Sequence, residues 1–312
     1  MRVRLLGTAA GGGSPQWNCG CSTCRAVRSN APGTVPRTQS GAALSADGIR
    51  WFLLNASPDV RIQIEGFEPL LPADGNVRGT GVEGVLITNA DLDHTLGLFQ
   101  LREGCPLNIH ATQSVRRALT EGLSLESVLS RYCGIVWHTP PASPAPLLCA
   151  DGSPSGLLYE AFTLPGKPPR YMGVQKVEAE ASRGNCVGYR FFDQATGGSL
   201  VFLPDAAVLT EDTLAKMQDC DALLIDGTFW SENEMELMGV GSTPAAQMGH
   251  LPVGGNTGSL AQLAALPGRR PARRIFMHIN NTNPILLADS PERADVEAAG
   301  CEVGFDDMEL VI

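Results

Sequence analysis

Asp91, Asp93 and His94 fall within four residues of one another, just past the apolar run Gly84-Val-Leu-Ile-Thr88 and its follower Asn89. Three other apolar runs finish in the same manner: Leu200-Val-Phe-Leu-Pro204 in Asp205, Ala222-Leu-Leu-Ile225 in Asp226, and Arg274-Ile-Phe-Met277 in His278. Carboxylates and imidazoles bind divalent first-row metals and also carry protons, so a convergence of these groups could do either job. Each group has a plainer reading. An Asp at a strand–helix junction caps the free amides of the first turn, and a lone His at a strand end is often a hydrogen-bonded structural residue. The combination argues for more, because one helix start uses one cap, and two of only five histidines in the chain close apolar runs.

A second grouping is softer. Cys19-x-Cys21-x-x-Cys24 supplies three thiols within six residues in a glycine-rich stretch, while the other six of nine cysteines are scattered. An odd, dispersed set argues against a disulfide framework, and three thiolates at this spacing favour a structural Zn²⁺, tetrahedral once a fourth group arrives. Three unrelated reduced cysteines are the alternative.

These residues need elements to hold them. Short β-type runs occur at 3–6, 42–44, 51–54, 82–88, 107–110, 187–192, 199–203, 222–225 and 274–279, with helical patterns at 94–101, 113–121, 124–132, 211–217, 257–266 and 291–299. Their loose alternation indicates an α/β chain, in which the functional crevice lies beyond the carboxyl ends of the strands. With no repeat and no low-complexity tract, the 312 residues are expected to form one domain, with a Cys-rich loop at 17–25 and a Pro-rich insertion near 139–156. A formal charge of −10 without a basic stripe excludes nucleic acid as the natural partner. The longest uncharged stretch, Cys133–Ala150, is broken by four prolines, so no membrane span is expected. The amino terminus carries charges where an export signal would be apolar, which favours a cytoplasmic protein. The glycines at 11–13 match neither nucleotide-binding fingerprint.

Asn89-Ala-Asp91-Leu-Asp93-His94 occupies the place of the His-x-His-x-Asp-His motif of metallo-β-lactamase-like proteins, and Asp205, Asp226-Gly-Thr, Gly249-His250 and His278 follow in that superfamily's order. More narrowly, the chain resembles the family of coenzyme pyrroloquinoline quinone (PQQ) biosynthesis protein B. That likeness rests on Gly11–Cys24, Pro36-Arg-Thr-Gln-Ser40, Asn55-Ala-Ser-Pro-Asp59, Arg102-Glu-Gly-Cys-Pro106 and His278-Ile-Asn-Asn-Thr-Asn-Pro284, which span both ends of the chain. The resemblance implies a four-layer αβ/βα sandwich.

It also implies a particular departure. Two-metal hydrolases of the superfamily share a bridging hydroxide, and their first metal takes the two leading histidines and a third from a middle loop. Here the leading positions are Asn89 and Asp91, and Leu164-Pro-Gly-Lys-Pro-Pro-Arg170 holds no histidine. The second site matches in full: Asp93, His94, Asp205 and His278. Two imidazoles with carboxylates and open positions describe a non-haem Fe(II) oxygenase centre, although Zn²⁺ accepts the same set. The resemblance tips the choice to iron and implies hydroxylation of the tyrosine ring of a Glu–Tyr precursor by O₂. Asp91 would touch the iron or the substrate phenol, and Asp226 with His250 would move protons or simply satisfy one another. For the thiolate zinc the resemblance leaves Asn281, Asn283, a water or a backbone oxygen as fourth partner. Two other functions stay open: a one-metal zinc hydrolase, and a carrier for transport of PQQ or its precursor.

Overall fold

The computed structural model describes residues 1–103, 105–173, 184–266 and 273–312, so Gly104 of the Arg102–Pro106 motif lies outside the described residues. Among these, strands run in chain order as β1 (Arg2–Gly7), β2 (Gly41–Ser45), β3 (Trp51–Leu54), β4 (Val82–Leu86), β5 (Leu107–His110), β6 (Ile135–His138) and β7 (Ala145–Leu148). They continue as β8 (Pro154–Leu164), β9 (Cys186–Asp193), β10 (Ser199–Leu203), β11 (Ala222–Asp226), β12 (Arg273–Met277), β13 (Glu302–Val303) and β14 (Glu309–Val311). The chain divides into two compact units: Met1–Leu6, Gly41–Ser199 and Asp307–Ile312 form the first, Gly7–Ser40 and Leu200–Asp306 the second.

The first unit holds a sheet in the order β14-β1-β2-β3-β4-β5-β6. β1 pairs antiparallel with β14 and β2 with β3, whereas β3 to β6 run parallel. Its core includes Leu53, Val85, Ile87, Ile109 and Leu119, all fully buried. The same unit carries the antiparallel strands β7, β8 and β9. The Pro-rich segment 139–156, expected as an insertion, contributes β7 and the start of β8. Pro146 lies on β7, the last strand in its sheet order, where a missing backbone donor costs least.

The second unit is built on the parallel strands β10, β11, β12 and β13. β10 and β11 are buried at every position, which is why their sequences read as unbroken apolar runs rather than alternating ones. Register places Leu203 beside Ile225 and Asp226 beside Met277, so the carboxyl ends of three strands finish level. The run expected to extend to residue 279 stops at Met277, because His278 takes a left-handed backbone (φ 55°) that no extended strand accommodates. The helix expected at 94–101 is two short ones, Leu92–Thr95 and Gly97–Gln100. Among the described residues no helix is long and apolar enough to cross a membrane.

Candidate metal centres

In the second unit the strand ends meet. Asp205, His250 and His278 each offer a ligand atom within 4.8 Å of the others. Asp205 Oδ1 lies 3.7 Å from His278 Nε2 and 3.8 Å from His250 Nδ1. An ion held at about 2.1 Å from each partner spans such a gap, so the Asp205–His278 pair fits a metal.

Asp226 has a different job. Its Oδ2 accepts from the Ala206 amide (2.8 Å) and faces His250 Nδ1 (2.8 Å), while Oδ1 accepts from the Thr228 amide (2.9 Å) and hydroxyl (2.6 Å). A carboxylate has about four lone-pair sites. All four are engaged, so Asp226 orients its neighbours and has no oxygen left to give a metal. Burial, the largest single influence, pushes its carboxyl up, but the positive field and hydrogen bond of His250 carry it below the ordinary range. The reciprocal holds for His250: burial lowers it, and the attraction of Asp226 raises it above the ordinary imidazole value. His250 is placed by the turn after helix Ala245–Met248, which Gly249 ends in a left-handed conformation, and the Leu251 amide ties the segment to Ala206 O at 2.7 Å.

Thr228 orients the ring of His278. Its Oγ1 lies 2.6 Å from Asp226 Oδ1, 2.8 Å from the His278 carbonyl oxygen and 2.8 Å from His278 Nδ1. The hydroxyl has one proton, and its first two partners can only accept. Nδ1–H of His278 therefore donates to Thr228, and the lone pair sits on Nε2, facing Asp205. The sequence reading carried Thr228 only as the end of Asp226-Gly-Thr and gave it no role, although its place two residues after Asp226 was the signal that could have done so.

In the first unit, Asp93 and His94 lie on helix Leu92–Thr95 past β4. His94 is fully buried, with Asp93 Oδ2 at 3.8 Å from its Nε2. Its Nδ1 lies 2.9 Å from Asn55 Nδ2 and 3.1 Å from Thr88 Oγ1. The Asn55 amide cannot turn round, because its Oδ1 accepts from the Thr88 amide at 2.9 Å; its Nδ2 donates to Thr88 Oγ1 at 3.0 Å, and the same hydroxyl oxygen can accept from His94 Nδ1–H. The His94 carbonyl accepts from Ala56 N and Gly97 N donates to Ala56 O, a close approach that a side chain at 97 would block, since a Cβ there would lie 2.2 Å from Ser57 O. Asn55 and Thr88 were also missed as supports, although Asn55 lies in a stretch that carries the family resemblance. Asp91 stands at the N-cap position of the same helix but makes no capping bond, and instead its own amide donates to Asn89 Oδ1 (2.9 Å). The capping explanation for Asp91 is thereby removed.

The thiolate cluster lies wholly in the second unit. Cys19, Cys21 and Cys24 bring their sulfurs within 4.8 Å of one another, with Cys21 as the N-cap of helix Ser22–Arg28, its Sγ accepting from Cys24 N. Asn281 Nδ2 sits 3.2 Å from the sulfurs of Cys19 and Cys24 and 3.6 Å from that of Cys21. Asn281 is the group that reaches all three, whereas Asn283 is spent on Gly227 O and the Ile285 amide. Burial pushes the Cys24 thiol up to about 11, while hydrogen bonds from Cys21, Cys24 and Asn281 outweigh burial and hold Cys19 below the ordinary thiol value. Such a set fits a soft ion that displaces the thiol protons.

Comparison with known proteins gives these groups a context. The family described as "Beta-lactamase superfamily domain" matches residues 50–279. The chain is 41% identical over 312 residues to coenzyme PQQ synthesis protein B of Ectopseudomonas mendocina (strain ymp), covering 100% of both chains. It is 42% identical to the protein of the same description from Stutzerimonas stutzeri, covering 99% of both. Its fold superposes on the crystal structure of Zn(2+)-bound PqqB from Methylobacterium extorquens with a TM-score of 0.87 at 38% identity, over 100% of both chains. A diphosphatase from the PhnP family shares the fold, with a TM-score of 0.64 at 18% identity over 99% of this chain and 97% of that one. The chain belongs to the coenzyme PQQ synthesis protein B family, within the metallo-β-lactamase-like α/β sandwich superfamily.

Proposed function

We propose that this member of the PQQ synthesis protein B family acts in PQQ biosynthesis as an iron- and O₂-dependent enzyme that hydroxylates the tyrosine ring of a Glu–Tyr precursor. The observation that carries the reading is the placing of His278: Nδ1 meets Thr228 at 2.8 Å and Nε2 lies 3.7 Å from Asp205, two metal-competent groups at a distance one ion spans. Asp205 and His278 would hold the iron together with Asp93 and His94, the pair the superfamily motif places with them. Bound ferrous iron would supply the dioxygen activation that aromatic hydroxylation demands and redox-silent zinc lacks. Asn89 and Asp91 stand where a two-metal hydrolase has histidines, so the ligands for a bridged second ion are missing and space beside the metal is left for substrate and O₂.

The chain's own residues then do the following. Asp226 holds His250 by Nδ1, so Nε2 of the neutral ring is the atom that accepts a proton from the substrate, and the Asp226 carboxylate that raises the imidazole makes it a stronger base. Asp91, exposed at the N-cap position of helix Leu92–Thr95, would offer a carboxylate to the phenol or the metal. Cys19, Cys21, Cys24 and Asn281 would hold a separate zinc that stabilises the fold, in keeping with the zinc named for the Methylobacterium extorquens relative. A cytoplasmic place and a peptide-derived partner accord with this chemistry. The test is anaerobic Fe(II) reconstitution of the purified protein, followed by oxygen uptake and product mass with Glu–Tyr and a two-electron reductant such as ascorbate, which carries the second oxygen atom to water. A gain of one oxygen atom by the dipeptide only in the iron-loaded protein is expected. Absence of oxygen uptake at full iron occupancy would overturn the reading.

A further inference from the structure

His250 has two sides. Through Nδ1 it joins the Asp226 carboxylate, and it also lines a cavity of about 510 Å³ within the second unit. That volume suits a small ligand, for which pockets of about 300–1,000 Å³ are usual. Its walls are mainly apolar, with Ser231, Glu232 and Thr257 as polar edges. Trp230, Leu251 and Pro252 give flat apolar surface, and Phe229 meets the His250 ring edge-on at 5.8 Å. The backbone of Gly254 lies flush on the Trp230 indole, since a Cβ there would come within 2.6 Å of the ring.

The wall is also stiff. Gly254 N donates to Trp230 O (2.9 Å), Val253 N to Phe229 O (2.8 Å), and the Trp230 amide to the buried Glu234 carboxylate (2.6 Å). Charge narrows the occupant further. No lysine or arginine is among the described residues that line the cavity, and Glu232 adds a carboxylate. A phosphate or other dianion would enter without a counter-charge, next to an acid. A neutral aromatic ring with one hydroxyl donor meets every feature: apolar walls, an aromatic face and an imidazole acceptor.

We infer that this cavity is the subsite for the substrate's phenol ring, seated against Trp230 with its hydroxyl donating to His250 Nε2. The inference rests on the proposed hydroxylase reading and adds to it the wall that selects a tyrosyl side chain and refuses a phosphorylated one. Trp230 is the specificity residue, and Gly254 is what lets the indole lie where it does.

The experiment is binding rather than turnover. The full-length, zinc-containing protein is titrated calorimetrically under nitrogen with Glu–Tyr, Glu–Phe and O-phosphorylated Glu–Tyr, for the parent, Trp230→Ala and Ala246→Trp. Ala246 is an exposed residue at the cavity wall, so its replacement fills the space without disturbing the core, and it keeps the test decisive where Trp230→Ala fails to fold. Glu–Tyr is expected to bind the parent, Glu–Phe at least threefold more weakly, and the phosphorylated dipeptide at least tenfold more weakly. Both variants should lose tenfold or more for Glu–Tyr. Parent-like binding by the folded variants would overturn the subsite and leave the hydroxylase reading intact. Tighter binding of the phosphorylated dipeptide than of Glu–Tyr, or no binding of Glu–Tyr to the parent, would overturn both.

Discussion

The two ligand clusters of the second unit are built in opposite ways. Cys19, Cys21 and Cys24 come from one turn of chain and the start of one helix, closed by a single distant residue, Asn281. Asp205 and His278 follow strands that a parallel sheet brings level, His250 follows the helix Ala245–Met248, and the two imidazoles are steered by neighbours, His250 by Asp226 and His278 by Thr228. One cluster is soft and nearly closed, suited to an ion that stays. The other is hard and open, with its strain kept in the chain: His278 is held at φ 55° by the turn that presents it. A closed thiolate set contributes stability, and an open imidazole–carboxylate set keeps positions for chemistry.

The sharpest way to break this contrast is to remove one residue from each cluster and count both metals. His278→Ala should bring iron stoichiometry from near one per chain to near zero, abolish turnover and leave zinc unchanged. Normal iron in that variant would mean the open cluster is assigned wrongly. Cys21→Ser should act on the fold instead, lowering the thermal midpoint by more than about 4 °C because zinc binding there is folding free energy. A Cys21→Ser protein with parent zinc and parent midpoint would erase the distinction. Short dialysis against a mild chelator should separate the two without mutation, stripping iron and sparing zinc.

Thr228→Val offers a smaller and more selective probe. It keeps the shape of the side chain but removes the hydroxyl to which His278 Nδ1–H donates, so the ring loses the partner that fixes its tautomer. Loss of such an outer partner typically costs about 10–100-fold in metal affinity. Iron affinity measured by competition should fall by about that factor with zinc unaffected. An unchanged iron affinity would mean that Thr228 only satisfies Asp226.

The same contrast explains what the sequence made legible. The thiolate site could be read directly, because Cys19-x-Cys21-x-x-Cys24 carries its geometry in its spacing. The open site could be read only as a habit of position, with Asp205, Asp226 and His278 each ending an apolar run. The roles of Asp226 and Thr228 needed coordinates, because whether a carboxylate is a ligand or an orienter depends on how many of its lone pairs are already taken. Among the elements, β10 and β11 were clear from their buried runs. β8 was missed because Ser155-Gly-Leu-Leu-Tyr-Glu-Ala-Phe-Thr-Leu164 alternates too loosely to declare a period of two. The end of β12 was misplaced by two residues because a non-glycine residue at positive φ leaves no trace in a hydrophobic pattern.

Asn281 decides how independent the two clusters are, since it lies three residues after His278 on the same segment. Its amide nitrogen stands 3.2, 3.6 and 3.2 Å from the three sulfurs. Tetrahedral zinc with sulfur at about 2.3 Å and oxygen at about 2.1 Å places its fourth ligand about 3.6 Å from each sulfur, close to where this terminal atom sits. A half-turn of the amide puts Oδ1 there in place of Nδ2, so the position is already that of a ligand. Asn281→Ala should then weaken zinc about tenfold as water replaces the amide, and Asn281→Asp should bind at least as tightly as the parent because a charged oxygen takes the same place. His278 has its own anchors: Thr228 holds its ring, and the Asn280 amide donates to Thr228 O at 3.0 Å. Iron affinity in Asn281→Ala should accordingly move by less than threefold. A zinc affinity untouched by Asn281→Ala would remove the residue from the site, and an iron loss as large as the zinc loss would mean that the closed cluster holds the open one in shape.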